Sequence, residues 1–230
     1  MLDAQLPAPP QAAVGFFGPA LPVVRRYGEL LAGAGVQRGL IGPREVDRLW
    51  ERHLMNCAAI AELIPQGSHL VDVGSGGGLP GIVLAAFRPD LRVTLLEPLL
   101  RRTTFLDECL DELELDNAEV LRGRAEDWAN RMGADVVTAR AVAPLEKLVG
   151  WCLPLLHAGG RMLALKGDAA SEELAAATPG LKNLGAASWD VVEVGEVLGS
   201  AATRVIRIDL GPAGFRPTRP LRRSGRSARG

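Results

Sequence analysis

The chain has 230 residues, 47% of them hydrophobic, and a formal net charge of −1. That length allows one large domain or a domain with an appendage, and the apolar content is ample for a sizeable core. No apolar stretch reaches membrane-spanning length, the Pro-rich start lacks the basic region of a secretory signal, and Cys57, Cys109 and Cys152 are too scattered for a C-x-x-C zinc pair or a disulfide frame. Reduced core thiols, no metal and a cytoplasmic address are therefore expected. The near-zero charge joins two unlike parts. Residues 211–230 hold six arginines and no acid, while residues 1–210 set 20 basic against 27 acidic groups, a charge of −7.

Residues 1–18 carry Pro, Ala and Gly and read as a loose lead-in. A helical cap follows over 19–66. Leu21, Val24, Tyr27, Leu30 and Leu31 recur at helical spacing, and a second helix starts at Pro43, with Val46, Leu49, Trp50, Cys57 and Ile60 on one side. Pro65-Gln66-Gly67 stops it. From there to 210 strand and helix alternate. Strands are predicted over 70–73, 92–97, 119–122, 135–139 and 160–166, and helices over 80–87, 99–113, 125–132, 144–156 and 170–177. Strands over 188–194 and 203–209, with no room for a helix between them, should pair as an antiparallel hairpin. The result is an α/β fold, a Rossmann-like, mostly parallel seven-stranded sheet with the helical cap in front, an architecture that resembles the class I S-adenosylmethionine-dependent methyltransferases. The Arg-rich tail 211–230 is expected to be disordered in isolation. It could grip phosphates or simply solubilise the chain.

The most informative segment is Leu70-Val71-Asp72-Val73-Gly74-Ser75-Gly76-Gly77-Gly78-Leu79-Pro80-Gly81. A β-branched run ends in a glycine-rich turn, and Pro80 suits the start of a helix. Glycine spacing separates two ligands. A dinucleotide fingerprint G-x-G-x-x-G counted from Gly74 would need glycine where Leu79 stands. The observed Asp72-x-Gly74-x-Gly76-x-Gly78 suits S-adenosylmethionine, because a carboxylate there attracts a methionyl ammonium and repels a pyrophosphate. The next strand ends in Glu97, which could accept hydrogen bonds from both ribose hydroxyls.

Further candidates stand at later strand ends. Ala125 and Glu126 follow the third strand, where they could hold the cofactor's adenine, although Glu126 and Asp127 would also suit a helix N-terminus. Arg124, Arg140 and Lys166 each follow a strand, so three cations would crowd one rim, a phosphate-binding pattern that favours nucleic acid. His53 could touch cofactor or base, or serve as a capping or core histidine. Trp50 and Trp151 fall on apolar helical faces and read as core. No Asn/Asp-Pro-Pro-aromatic box or Pro-Cys follows the fourth strand, so the target atom should need neither deprotonation nor covalent attack. Guanine N7, with its free lone pair, meets that condition, and catalysis would be alignment with no catalytic base.

Arg52-His53, the glycine loop through Gly78-Leu79-Pro80-Gly81-Ile82, Arg101-Arg102-Thr103-Thr104-Phe105-Leu106, Arg124-Ala125-Glu126, Arg140-Ala141 and Ala164-Leu165-Lys166-Gly167 together carry a resemblance. From about 20 to 210 the chain resembles the RsmG (GidB) ribosomal RNA methyltransferases, which make 7-methylguanosine in 16S rRNA. The resemblance implies that Gly74, Leu79, Ala125, Glu126 and Arg140 contact the methyl donor, and that Arg124, Arg140 and Lys166 face RNA. It implies a guanine in the helix 18 loop as target, with 16S rRNA, the small subunit or its precursor as partner and a monomer that needs no membrane. Gly39-Leu40-Ile41 departs from the family's usual Asn-Leu-Thr, and the tail has no counterpart. Two other readings stand beside it: a non-catalytic rRNA-binding assembly factor, and an NAD-dependent oxidoreductase built on the loop and Glu97.

Overall fold

A computed structural model describes residues 5–195 and 202–217. Its centre is a seven-stranded sheet in the order β3-β2-β1-β4-β5-β7-β6. The strands are β1 His69–Val73, β2 Arg92–Glu97, β3 Ala118–Arg122, β4 Ala134–Arg140, β5 Leu156–Lys166, β6 Ala186–Val194 and β7 Thr203–Leu210. β1 to β5 pair in parallel, and β7 runs antiparallel to both β5 and β6. Strand order reverses at β1, which lies between β2 and β4, so the crevice expected of an open α/β sheet opens at its carboxyl end.

Alternation along the strands divides the core in two. Leu70, Val93, Leu95, Val136, Leu163 and Leu165 pack with the N-terminal helices and with α4 (Gly81–Phe87) and α5 (Leu100–Glu112). Val71, Val73, Leu96, Val137, Met162 and Ala164 pack on the other face with α6 (Leu145–Cys152) and α7 (Ala170–Leu181). Both faces are covered, which is why the parallel strands are apolar at nearly every position.

The N-terminal helices are α1 Gln11–Phe17, α2 Leu21–Leu30 and a helical run over 43–63 that contains α3 Asn56–Ala59. The lead-in is not loose over its described part. Phe16 and Phe17 stack on Phe87 of α4, with ring centroids 4.8 and 5.5 Å away, and Trp50 Nε1 donates to the Pro7 carbonyl. Burial of the Phe17 ring is what orders α1. The helix expected over 125–132 is only a 3₁₀ turn, Ala125–Trp128, ended by Asn130 at φ +59°. α7 instead runs past Pro179 to the fully buried Leu181. The start of the tail is also ordered: the Arg216 N–H donates to Leu184 O, and Phe215 packs against the second core. The rest of the tail, residues 218–230, lies outside the described residues.

Candidate functional site

The loop after β1 builds the floor of a cavity of about 610 Å³. Gly74, Gly76 and Gly78 have φ of +69°, +59° and +99°, a region that side-chain-bearing residues rarely adopt. A Cβ on Gly74 would come within 2.9 Å of Val142, so the β1 and β4 loops touch only because that position is bare. The loop is pinned from below: Gly74 N–H donates to Leu96 O at 2.8 Å, and the Tyr27 hydroxyl donates to Gly77 O at 2.7 Å. Gly78 backs onto Ile82 and Tyr27, off the cavity wall, while Gly74, Gly76 and Leu79 line it.

Asp72 is also off the wall. It is fully buried, and Oδ2 accepts from the Gly81 N–H at 3.0 Å, which ties the start of α4 to β1. Oδ1 has no partner among the described residues, and burial pushes the carboxyl up to about 7. Asp72, expected to attract a methionyl ammonium, is placed by the structure behind the wall, with Oδ2 holding the start of α4.

Glu97 takes the position its spacing suggests. Its side chain is 1% exposed and lines the cavity. Oε2 accepts from Gly76 N–H at 3.1 Å and Oε1 from Leu99 N–H at 3.0 Å, so two loops hold it rigidly. Arg102 approaches Oε2 at 3.5 Å. The β2–β3 register pairs Glu97 with Arg122 and brings Gly123, Arg124, Ala125 and Glu126 onto the same wall. There the two acids divide their work. Asp127 Oδ2 accepts from the Arg124 N–H as a cap of the 3₁₀ turn, and Glu126 is left exposed at the cavity.

The fourth wall is Arg140, Ala141 and Val142. Arg140 is not a free rim cation. One terminal nitrogen donates to Cys57 Sγ at 3.0 Å and the other to His53 Nδ1, while His53 Nε2 meets Glu45 Oε2 at 2.9 Å. Burial and the Arg140 charge hold His53 below its ordinary pKa, against the Glu45 hydrogen bond that raises it. Beyond Arg140 a second cleft of about 360 Å³ opens, bordered by Glu45, Asn56, Lys166 and Glu173. Lys166 is paired rather than presented: its side chain is 10% exposed, and Nζ donates to Glu173 Oε2 and Ala143 O. Of the three expected rim cations only Arg124 is exposed.

Several wall residues carry no ligand signal in the sequence. Leu40 and Ile41 reach the wall from the stretch ahead of Pro43, and Trp151, read as core, is half-buried and reaches the cavity. Val142 gives no sign of its place, since its role comes from the glycine it touches. The donor set suits a nucleoside with a charged amino-acid arm. It offers a buried carboxylate for vicinal hydroxyls, apolar walls, bare backbone in the loop and an arginine, in a volume of the usual small-molecule size.

A family model described as "rRNA small subunit methyltransferase G" matches residues 21–199. A "Ribosomal RNA small subunit methyltransferase G" of Thermobifida fusca is 60% identical over 87% of this chain and 84% of its own length. One from Streptomyces coelicolor is 53% identical over 98% of this chain and 96% of its own. The crystal structure of cofactor-bound Rv0187 from MTB aligns with 90% of this chain and 99% of its own at a TM-score of 0.53 and 16% identity, a likeness of fold. With a family model matching most of its length and relatives this similar along nearly all of it, the chain belongs to the rRNA small subunit methyltransferase G family.

Proposed function

We propose that the cavity holds S-adenosylmethionine between the glycine loop and Glu97, and that the chain passes its methyl group to N7 of a guanine in the helix 18 loop of 16S rRNA. Family membership makes the chain an S-adenosylmethionine-dependent methyltransferase of small-subunit rRNA rather than an oxidoreductase or a non-catalytic assembly factor. The observation that carries the donor site is Glu97, a buried carboxylate locked by two backbone N–H groups on the wall of the cavity. The chain's own backbone orients this acceptor, which suits it to a ribose diol. Gly74, Gly76 and Leu79 would lie along the methionyl arm, Ala125 and Glu126 beside the adenine, and Arg140 near the reacting end.

When bound, the donor would supply an electrophilic sulfonium methyl to the N7 lone pair, with the carbon–sulfur electrons leaving on sulfur and no proton released. His53 is held through both ring nitrogens and Glu97 accepts a backbone N–H at each oxygen, so both are fixed in place around the cavity. What the chain contributes is alignment.

Leu99 and Val142 on the cavity wall and neighbouring Leu100 are exposed apolar side chains at 45%, 37% and 58%. Exposed Arg101 follows Leu100 in the chain and exposed Arg124 shares the wall with Leu99 and Val142, and neither has a carboxylate in ion-pair range among the described residues. Apolar surface for bases next to cations for phosphates suits a single-stranded RNA loop. The protein would act as a monomer in the cytoplasm, on the small subunit or its precursor.

The test supplies methyl-labelled donor with undermethylated 30S particles or naked 16S rRNA. Labelled 7-methylguanosine in the helix 18 fragment is expected. Transfer to neither substrate, or label at another atom of guanine, overturns the reading.

A further inference from the structure

His53 is where two distant parts of the chain meet. It belongs to the helical run over 43–63, is 9% exposed, and borders both the main cavity and the second cleft. Its ring touches an arginine on one side and a carboxylate on the other. A guanidinium only donates and a carboxylate only accepts. One proton arrangement satisfies both: Nε2–H donating to Glu45, and a bare Nδ1 accepting from Arg140.

We infer that Glu45 and His53 are positioning residues for methyl transfer: Glu45 fixes the proton on Nε2, and the Nδ1 thereby left bare holds the Arg140 guanidinium at the junction of cavity and cleft. The inference rests on the proposed function, which sets Arg140 near the reacting end of the donor. Arg140 needs holding because of the two residues after it. Ala141 has φ +53°, a strained value for a residue with a Cβ, and Val142 then packs against the bare face of Gly74. A guanidinium free to swing would release this corner against the donor loop. Cys57 Sγ gives a second, weaker hold through the other terminal nitrogen.

The arrangement has a pH consequence. A second proton on His53 removes the acceptor and sets two cations face to face. The charged and titratable groups around the pair are Glu45 and Arg52 beside the ring, Tyr27, Cys57 and Asp72 near Arg140, and the mutually paired Lys166 and Glu173 across the cleft. Glu45 is the one carboxylate bonded to the ring. Replacing it with Gln leaves an oxygen that can still accept from Nε2–H but removes the charge that favours imidazolium. The acid limb of activity should then move to lower pH.

The experiment uses the full chain carrying Glu45→Gln, Glu45→Ala, His53→Ala or the Glu45→Ala/His53→Ala pair. Donor Kd is measured by calorimetry without RNA, and kcat and KM on 30S particles from pH 5 to 8. His53→Ala should weaken donor binding or lower kcat/KM by about tenfold to a hundredfold, the scale of losing a well-placed alignment. Glu45→Ala should lose less, Glu45→Gln should keep more than Glu45→Ala, and the double variant should be no worse than His53→Ala, because Glu45 acts through His53. Losses that multiply in the double variant, or an acid limb that stays put in Glu45→Gln, overturn the inference. Glu45 is one-third exposed, so the Gln variant does not depend on folding surviving a core change. A wild-type chain that methylates no rRNA would sink the proposed function instead, a separate outcome.

Discussion

Lys166 Nζ lies 2.8 Å from Glu173 Oε2, and the same carboxylate oxygen accepts the Leu145 N–H at 2.8 Å. One ion pair therefore joins the end of β5, the start of α6 and the first turn of α7. Through the Ala143 carbonyl it also reaches the loop that carries Val142 to the cavity. The sequence shows only a lysine at the end of an apolar strand, which reads as a cation offered to phosphate.

Lys166→Ala should act first on stability. Glu173 loses its partner but keeps the Leu145 N–H, so the cost should be about 1–3 kcal/mol. Methyl transfer should fall because the 141–144 loop loosens, while the dependence of RNA binding on salt should barely change. Urea denaturation together with filter binding at several salt concentrations checks this. A salt slope reduced as much as by an exposed arginine, with stability unchanged, would show Lys166 meeting a phosphate after all.

A feature is legible in the sequence when its cause is local. The strands are readable because a strand covered on both faces is a short apolar run bounded by turn residues, and the loop because positive φ demands glycine where it stands. Glu97 is readable because it lies on the strand beside that loop. Partnerships are not. Arg140 meets His53 87 residues away, and Asp72 caps α4 through Gly81 rather than facing the cavity. Which way a strand-end side chain turns is decided by how helices dock, and nothing in the spacing records it. The N-terminal helix is hidden for the same reason, since Phe16 and Phe17 are explained only by Phe87.

The loop glycines should separate binding from folding. A methyl on Gly81 would fall 2.2 Å from Leu95 and 2.8 Å from Asp72, inside the core, so Gly81→Ala should lower the melting temperature strongly. A methyl on Gly76 meets nothing closer than the Gly74 carbonyl at 3.7 Å, so Gly76→Ala should cost only about 1–2 kcal/mol of backbone strain. Because Gly76 lines the cavity and anchors Glu97, that variant should still lose donor affinity. Melting curves with and without S-adenosylmethionine report both. Gly76→Ala that keeps the full donor-induced shift would take the loop out of the donor site.

Asp72 gives a pH dependence whose sign is set by its burial. Its carboxyl is raised from 3.8 to about 7 in the folded chain. Between those values the native state holds a proton that the unfolded state has released, so this group's contribution to stability falls as pH rises through the window. Below it both states are protonated, and above it the penalty is complete. Asp72→Asn cannot ionise and can still accept from Gly81 N–H. Relative to wild type it should gain stability from pH 5 to pH 8, by on the order of 2–4 kcal/mol. The difference between the two proteins is the quantity to measure, because titrating histidines contribute equally to both. A difference that is flat with pH would mean Asp72 is ionised in the fold throughout.

The exposed arginines should carry what Lys166 does not. Arg101 and Arg124 flank the mouth without carboxylate partners among the described residues, next to Leu99 and Leu100. Arg101 also sits in the first turn of α5, a 13-residue helix with no acid there, where a cation opposes the helix dipole. A phosphate between these residues would relieve that unfavourable placement. Each phosphate left without its arginine should reduce the salt slope of binding to a single-stranded loop by about 0.7. Arg101→Ala and Arg124→Ala should each show such a reduction, with donor affinity nearly unchanged for Arg101→Ala because its side chain is not on the cavity wall. Leu99→Ser should instead weaken RNA binding equally at all salt concentrations, since it removes apolar surface and no charge. Should the arginine variants weaken binding without touching the slope, the cations are holding the fold of the lip and the phosphates lie elsewhere.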